Sequence, residues 1–217
     1  MRRILLGWCV LALAGAACQA LGGNPIPNPT RASQQVLFYD DFSDPKSGWP
    51  SETDAEKSAG YSANEQYTIK ALGTRQDVWS RPGKDFADAS VEVDARKSGG
   101  PDRNGFGVLC RLQDKGNFYF FLVSSDGYQV IGKYQNGRSQ YLSAPRMQPT
   151  HAINAGSTPN HIRGECNGPT LTLYANGQQL AAVQDTSFVS GDVGLIVSTF
   201  DEPDVEISFD NFVVYQP

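Results

Sequence analysis

Apolar and polar residues alternate along most of the chain. In residues 90–96, Val91, Val93 and Ala95 fall on one parity and Glu92, Asp94 and Arg96 on the other. Successive side chains of a strand point to opposite faces, so this pattern predicts a half-buried strand. Alternation or short apolar runs predict further strands at 36–42, 67–71, 77–80, 106–112, 117–124, 129–134, 161–166, 171–175, 193–199 and 206–215. Residues 106–112 place Phe106, Val108, Cys110 and Leu112 on one face and Arg111 on the other. Residues 161–166 set Ile162, Gly164 and Cys166 against Arg163 and Glu165, whereas 117–124 is aromatic on both faces. Asn136-Gly137 and Asn176-Gly177 are hairpin-turn signals. Many short strands at this spacing predict an all-β fold, a two-sheet antiparallel jelly-roll sandwich. No glycine-rich nucleotide loop and no strand–helix alternation argues for an α/β fold.

The first residues break the pattern. Met1-Arg2-Arg3, an apolar run over 4–13 and the small residues Ala14-Gly15-Ala16-Ala17 read as a secretory leader. Its apolar run is about half of the roughly 20 residues needed to cross a bilayer. With Cys18 at the cut point, the leader resembles a bacterial lipoprotein signal. The resemblance implies lipid modification of Cys18 after loss of 1–17; Gly15 departs from the branched aliphatic residue the family favours there. Residues 18–35 follow, with Gly22-Gly23 and Pro25, Pro27 and Pro29. Proline lacks an N–H and fixes φ, so this segment reads as an extended tether. The expected product is an extracytoplasmic protein held to a membrane through Cys18.

The remainder, 36–217, is long enough for one domain with a sizeable core. The chain's net charge of −5 is scattered, and no basic stripe suggests nucleic acid. Within the domain the cysteines are Cys110 and Cys166. Both fall on the apolar face of their strands, and an exported protein meets an oxidising compartment. If the two strands are neighbours, a disulfide forms and contributes about 3–5 kcal/mol; the alternative is two buried thiols. His151 and His161 are not spaced with these cysteines as zinc ligands would be.

Three segments carry a resemblance over nearly all of 36–217. They are Tyr39-Asp40-Asp41-Phe42-Ser43-Asp44-Pro45 followed by Ser47-Gly48-Trp49; Leu171-Thr172-Leu173-Tyr174-Ala175-Asn176-Gly177; and Ile207-Ser208-Phe209-Asp210-Asn211-Phe212-Val213-Val214-Tyr215. In this order they resemble the concanavalin A-like lectin/glucanase sandwiches, including laminin-G-like modules. The resemblance implies pairing of the first and last strands, which places Asp40 and Asp41 near Asp210 as a candidate structural calcium site. The alternative is ordinary turn chemistry of aspartates. It also sets Glu92 and Asp94 against the nucleophile and helper of family 16 glycoside hydrolases, but Lys97 stands where that family has its acid/base glutamate. The 3-keto-glycoside hydrolases are similar to this class too, and no motif here selects them.

The outward parity offers Glu92, Asp94, Arg96, Arg111, Arg163 and Glu165, with Tyr119 if its strand is in phase. Carbohydrate sites combine aromatic platforms with planar hydrogen-bonding groups. Trp79, Tyr119, Tyr128 and Tyr134 are candidates for the first role, and Arg111 and Arg163 for the second. The expected function is a tethered, non-catalytic module that binds a glycan or a surface partner protein. The alternatives are a glycan-processing hydrolase and a structural envelope lipoprotein.

Overall fold

The structure is a computed structural model that describes residues 34–217, and every regular element in it is a β-strand. The leader, Cys18 and most of the tether fall on residues 1–33, outside the described residues. In chain order the strands are β1 (Val36–Asp40), β2 (Glu52–Thr53), β3 (Lys57–Tyr61), β4 (Tyr67–Ala71), β5 (Asp77–Ser80), β6 (Asp85–Phe86), β7 (Ala89–Gly99), β8 (Asn104–Asp114), β9 (Asn117–Val123), β10 (Tyr128–Gln135), β11 (Arg138–Tyr141), β12 (Gln148–Pro149), β13 (Asn160–Asn167), β14 (Thr170–Ala175), β15 (Gln178–Gln184), β16 (Gly191–Thr199) and β17 (Val205–Tyr215).

They form two antiparallel sheets. Sheet one runs β15-β14-β13-β7-β17-β4-β3-β2, with β1 beside the second half of β17. Sheet two runs β11-β10-β9-β8-β16-β5, with β12 beside β10 and β6 beside β16. The terminal strands pair as expected, Asp40 opposite Phe212 and Tyr39 opposite Val213. The first strand is shorter than the pattern predicts. Asp40 Oδ1 accepts the Phe42 amide at 2.8 Å, and Phe42 takes φ 58°, so the chain turns there. Both Asn-Gly pairs make their hairpins, β10–β11 and β14–β15. Strands β3, β11 and β15 escape the sequence pattern because they lie at or near sheet edges and do not alternate cleanly; their partners order them.

The main core lies between the sheets. Sheet one supplies Tyr67, Ile69, Val91, Val93, Ile162, Leu173, Ile207, Phe209 and Val214; sheet two supplies Phe106, Val108, Phe121, Ile131, Leu195 and Val197. A second apolar cluster covers the other face of sheet two: Leu109, Leu112, Phe118, Phe120, Leu122, Val130 and Ile196. Strand β9 therefore buries both of its faces, which accounts for its unbroken aromatic run. Among the ties that cross the sandwich, two stand out. Cys110 on β8 is disulfide-bonded to Cys166 on β13, their Cα atoms 6.7 Å apart. The two strands face each other across the core rather than pairing in one sheet. Lys133 on β10 donates to Asp185, just after β15, and to Ser187, both at 2.7 Å.

Candidate functional site

Strands β7 and β13 pair in register, so the sequence-predicted polar residues gather on the outer face of sheet one. Arg163 lies opposite Glu92 and His161 opposite Asp94. His161 was not singled out for this face, yet it organises it. Its Nε2 is 3.0 Å from Glu92 Oε2 and its Nδ1 2.7 Å from Asp94 Oδ1. The hydrogen bond to Glu92, with that to Asp94, raises the imidazole pKa against the opposing effect of burial. Asn211 donates to the second oxygen of Asp94 at 3.0 Å. Arg163 stacks its guanidinium 3.4 Å over the Tyr174 ring, with Glu165 at 3.9 Å. Arg96 reaches Gln66 at 3.4 Å. Glu92, expected to face a ligand, sits on this face but is only 3% exposed beneath His161. Lys97 is held by Asp102 and the Gly100 carbonyl, so no acid/base group follows Glu92 and Asp94 along β7.

Two more expected ligand contacts are structural. Arg111 does not point outward. A bulge interrupts the β8–β9 register after Cys110, Arg111 takes φ 52°, and its side chain is 3% exposed. It donates to the Ala87 and Phe188 carbonyls at 2.7 and 2.9 Å and to Asp88 at 2.8 Å. The same bulge moves Leu112 to the outer cluster, away from the parity shared by Phe106, Val108 and Cys110. Tyr119 pairs with Cys110 and faces the core, fully buried. Its hydroxyl donates to Asp185 and accepts from the Phe188 amide. Burial, reinforced by Asp185, pushes that hydroxyl's pKa up to about 12.

On the outer face of sheet two, Trp79, Ile196, Gly107, Leu122 and Val130 lie in one row across five strands. Trp79 packs on Phe118 at 5.0 Å between ring centroids, and Phe118 stacks on Tyr134 at 4.8 Å. Tyr134 then extends its hydroxyl to Asp77 at the far edge strand. Trp79 and Tyr134 thus form a ridge across the face rather than open platforms.

Two clefts open on the domain. On the β5 side, a cleft of about 850 Å³ runs between the edges of the two sheets, lined by Glu52, Asp54, Glu56, Lys57, Asp77, Trp79, Arg81, Asp85, Lys115 and Asp192 among others. Asp192 is buried there, and burial raises its pKa although it accepts the Lys84 and Val193 amides. The other, a cleft of about 520 Å³, is lined by Arg103, Asp126, Tyr128, Tyr141, Arg146, Met147 and Phe200. Tyr128, which shares this lining with Tyr141 and Phe200, is 39% exposed. Apart from Tyr128 this cleft escaped sequence reading. Tyr128 and Tyr141 sit at strand ends, the other lining residues come from turns and irregular segments without periodicity, and only the Asp126-Gly127 turn marks the place.

The three aspartates expected near the terminal strands serve local turns. Asp40 accepts from Phe42, Asp41 from Ser43 and Asp210 from Asn211. Among the described residues no group of three or more histidine, cysteine or acidic side chains is arranged to hold a metal ion.

The architecture defines the class: an all-β jelly-roll sandwich of the kind seen in carbohydrate-binding modules and glucanases. No protein-family model matches the sequence, and no curated protein does. Among solved structures, the chain is similar to a carbohydrate-binding module, CBM66, from Bacillus subtilis, with TM-score 0.61 and 18% identity, covering 78% of this chain and 96% of that one. A β-glucanase from Bacillus licheniformis gives TM-score 0.58 at 10% identity, covering 83% and 97%. A Bacillus subtilis protein of unknown function with a galectin-like fold gives 0.59 at 12% identity, covering 83% and 96%. At these identities the likeness is one of fold.

Proposed function

We propose that this domain binds glycan in the cleft beside Tyr128, as the folded head of an exported, membrane-tethered protein. The observation that carries the reading is the exposed Tyr128 ring beside Tyr141 and Phe200, with Arg103, Arg146 and Asp126 around them. Flat apolar rings cover the C–H faces of a sugar, while guanidinium and carboxylate groups take its hydroxyls. A largely apolar cleft with a few convergent polar groups is the usual form of a ligand site. The carbohydrate-binding module among the fold relatives supports this reading by analogy. The tether rests on the leader and Cys18; labelled palmitate fed to a bacterium expressing the chain should mark wild type and spare Cys18→Ala.

The test is binding to gluco-, xylo- and galacto-oligosaccharides and their parent polymers. Tyr128→Ala should weaken the best ligand about ten-fold or more, since central aromatics carry a large share of binding energy. Arg163→Ala, on the opposite sheet, should leave it unchanged. Equal affinity of wild type and Tyr128→Ala would overturn the site; no binding to any glycan would overturn the function.

A second reading, hydrolysis in the larger cleft, is favoured by Asp192. A buried carboxyl with a raised pKa in a cleft is a candidate acid. Release of reducing sugar from the same polymers, lost in Asp192→Asn, is its test.

A further inference from the structure

The two clefts differ in sign. The larger carries six carboxylates, Glu52, Asp54, Glu56, Asp77, Asp85 and Asp192, against Lys57, Arg81 and Lys115. The smaller carries Arg103 and Arg146 against Asp126. Asp126 is already engaged, since its Oδ1 accepts the Ser124 hydroxyl. Arg103 spends one nitrogen on Asp201 at 2.7 Å, and Asp201 is shared with Arg75 at 3.3 Å. Arg146 is exposed and has no ion-pair partner among the described residues. A chain of net charge −5 thus presents two guanidinium groups at a cleft lined by three aromatic rings.

Neutral hydroxyls are bound as well by amides and carboxylates, and the lining of this cleft has no Asn or Gln and one committed aspartate. A guanidinium is a planar fork whose paired N–H groups match a carboxylate in two parallel hydrogen bonds. The larger cleft, with its excess of carboxylates, disfavours the same ligand.

We infer that the glycan taken by this cleft is acidic, a uronate whose carboxylate pairs with Arg146 and the open edge of Arg103. This rests on the glycan reading above. The experiment titrates the purified full-length chain with oligogalacturonate and with the same oligosaccharide after reduction of its carboxyl groups to alcohols. Wild type should bind the acidic form at least ten-fold more tightly, with the difference shrinking as salt rises. Arg103→Gln/Arg146→Gln should bind both forms equally. Both positions are solvent-facing, and an unchanged melting temperature would verify the fold of the variant. Equal affinity of wild type for the two forms, or tight binding of neutral oligosaccharides alone, overturns the acidic ligand and leaves glycan binding standing. A preference that survives in the double variant overturns the assignment to these arginines. Binding of no oligosaccharide, acidic or neutral, removes both readings.

Discussion

His161 meets a carboxylate oxygen at each ring nitrogen, and only the doubly protonated ring can donate to both. Losing the proton turns one contact into lone pair against lone pair, next to the buried Glu92. The folded-state pKa is raised above its ordinary value near 6.5. The stabilisation is therefore complete below about pH 6.5 and is lost as pH rises through the raised folded value. The side chain is 42% exposed, so screening limits the effect to about 0.5–1 kcal/mol. Urea midpoints measured from about pH 5 to 8 should fall with pH in wild type and stay flatter in His161→Gln; parallel profiles would contradict this. Arg111 illustrates the opposite case, a polar residue whose work is wholly internal. Arg111→Ala removes the donor from the buried Phe188 carbonyl and the partly buried Ala87 carbonyl and leaves Asp88 with only the Gly168 amide, at a cost of about 2–4 kcal/mol. Glycan affinity per folded molecule should not change.

Strand β8 shows where sequence reading succeeds and where it stops. Period-two alternation located β4 and β5 to the residue and found β7, β13, β14 and β17 to within a few. It also gathered Asp94, Arg96, Arg163 and Glu165 on one outer face. It failed after Cys110 because a bulge adds residues to one strand and reverses every later parity. Arg111 and Leu112 exchanged expected environments for that reason alone, and nothing in the local composition announces a left-handed arginine. Tyr119 failed with them, since its strand is apolar on both faces and alternation carries no sign there. The Tyr128 cleft was illegible for a different reason: its lining is assembled from segments far apart in sequence. Within β8, Gly107 faces the outer side of sheet two, where an added Cβ would lie 2.0 Å from the Phe121 carbonyl oxygen. Backbone cannot give way there as a flexible side chain would. Gly107→Ala should cost at least about 2 kcal/mol in a denaturant titration by forcing β9 off its partner. Gly137→Ala offers a contrast: it meets no atom within 4 Å, and its cost comes only from φ 75° in the hairpin turn.

At the scale of the molecule, two different chemistries bind one sheet to the other. The Cys110–Cys166 bridge closes a span of 56 residues, which corresponds to about 4 kcal/mol of lost unfolded-state freedom. The Lys133–Asp185 pair is nearly buried, with side-chain exposures of 8% and 14%. Burial pushes the Asp185 carboxyl up, yet hydrogen bonds from Lys133, Ser187 and Tyr119 outweigh it and hold its pKa well below the usual range. A depressed folded pKa gives stability that is present above the unfolded value near 3.9 and is lost as pH falls toward the folded one. Acid therefore loosens one tie and leaves the other intact, whereas reductant does the reverse. Near-ultraviolet circular dichroism against pH should show the oxidised protein unfolding at a lower pH than the Cys110→Ala/Cys166→Ala form. Lys133→Met, which strips Asp185 of its cation at about 3 kcal/mol, should raise the acid midpoint of both. The two perturbations meet in the same core but share no atoms, so their effects should add within about 0.5 kcal/mol. A midpoint identical in the oxidised and cysteine-free forms would mean that the bridge contributes nothing to holding the sheets together in acid.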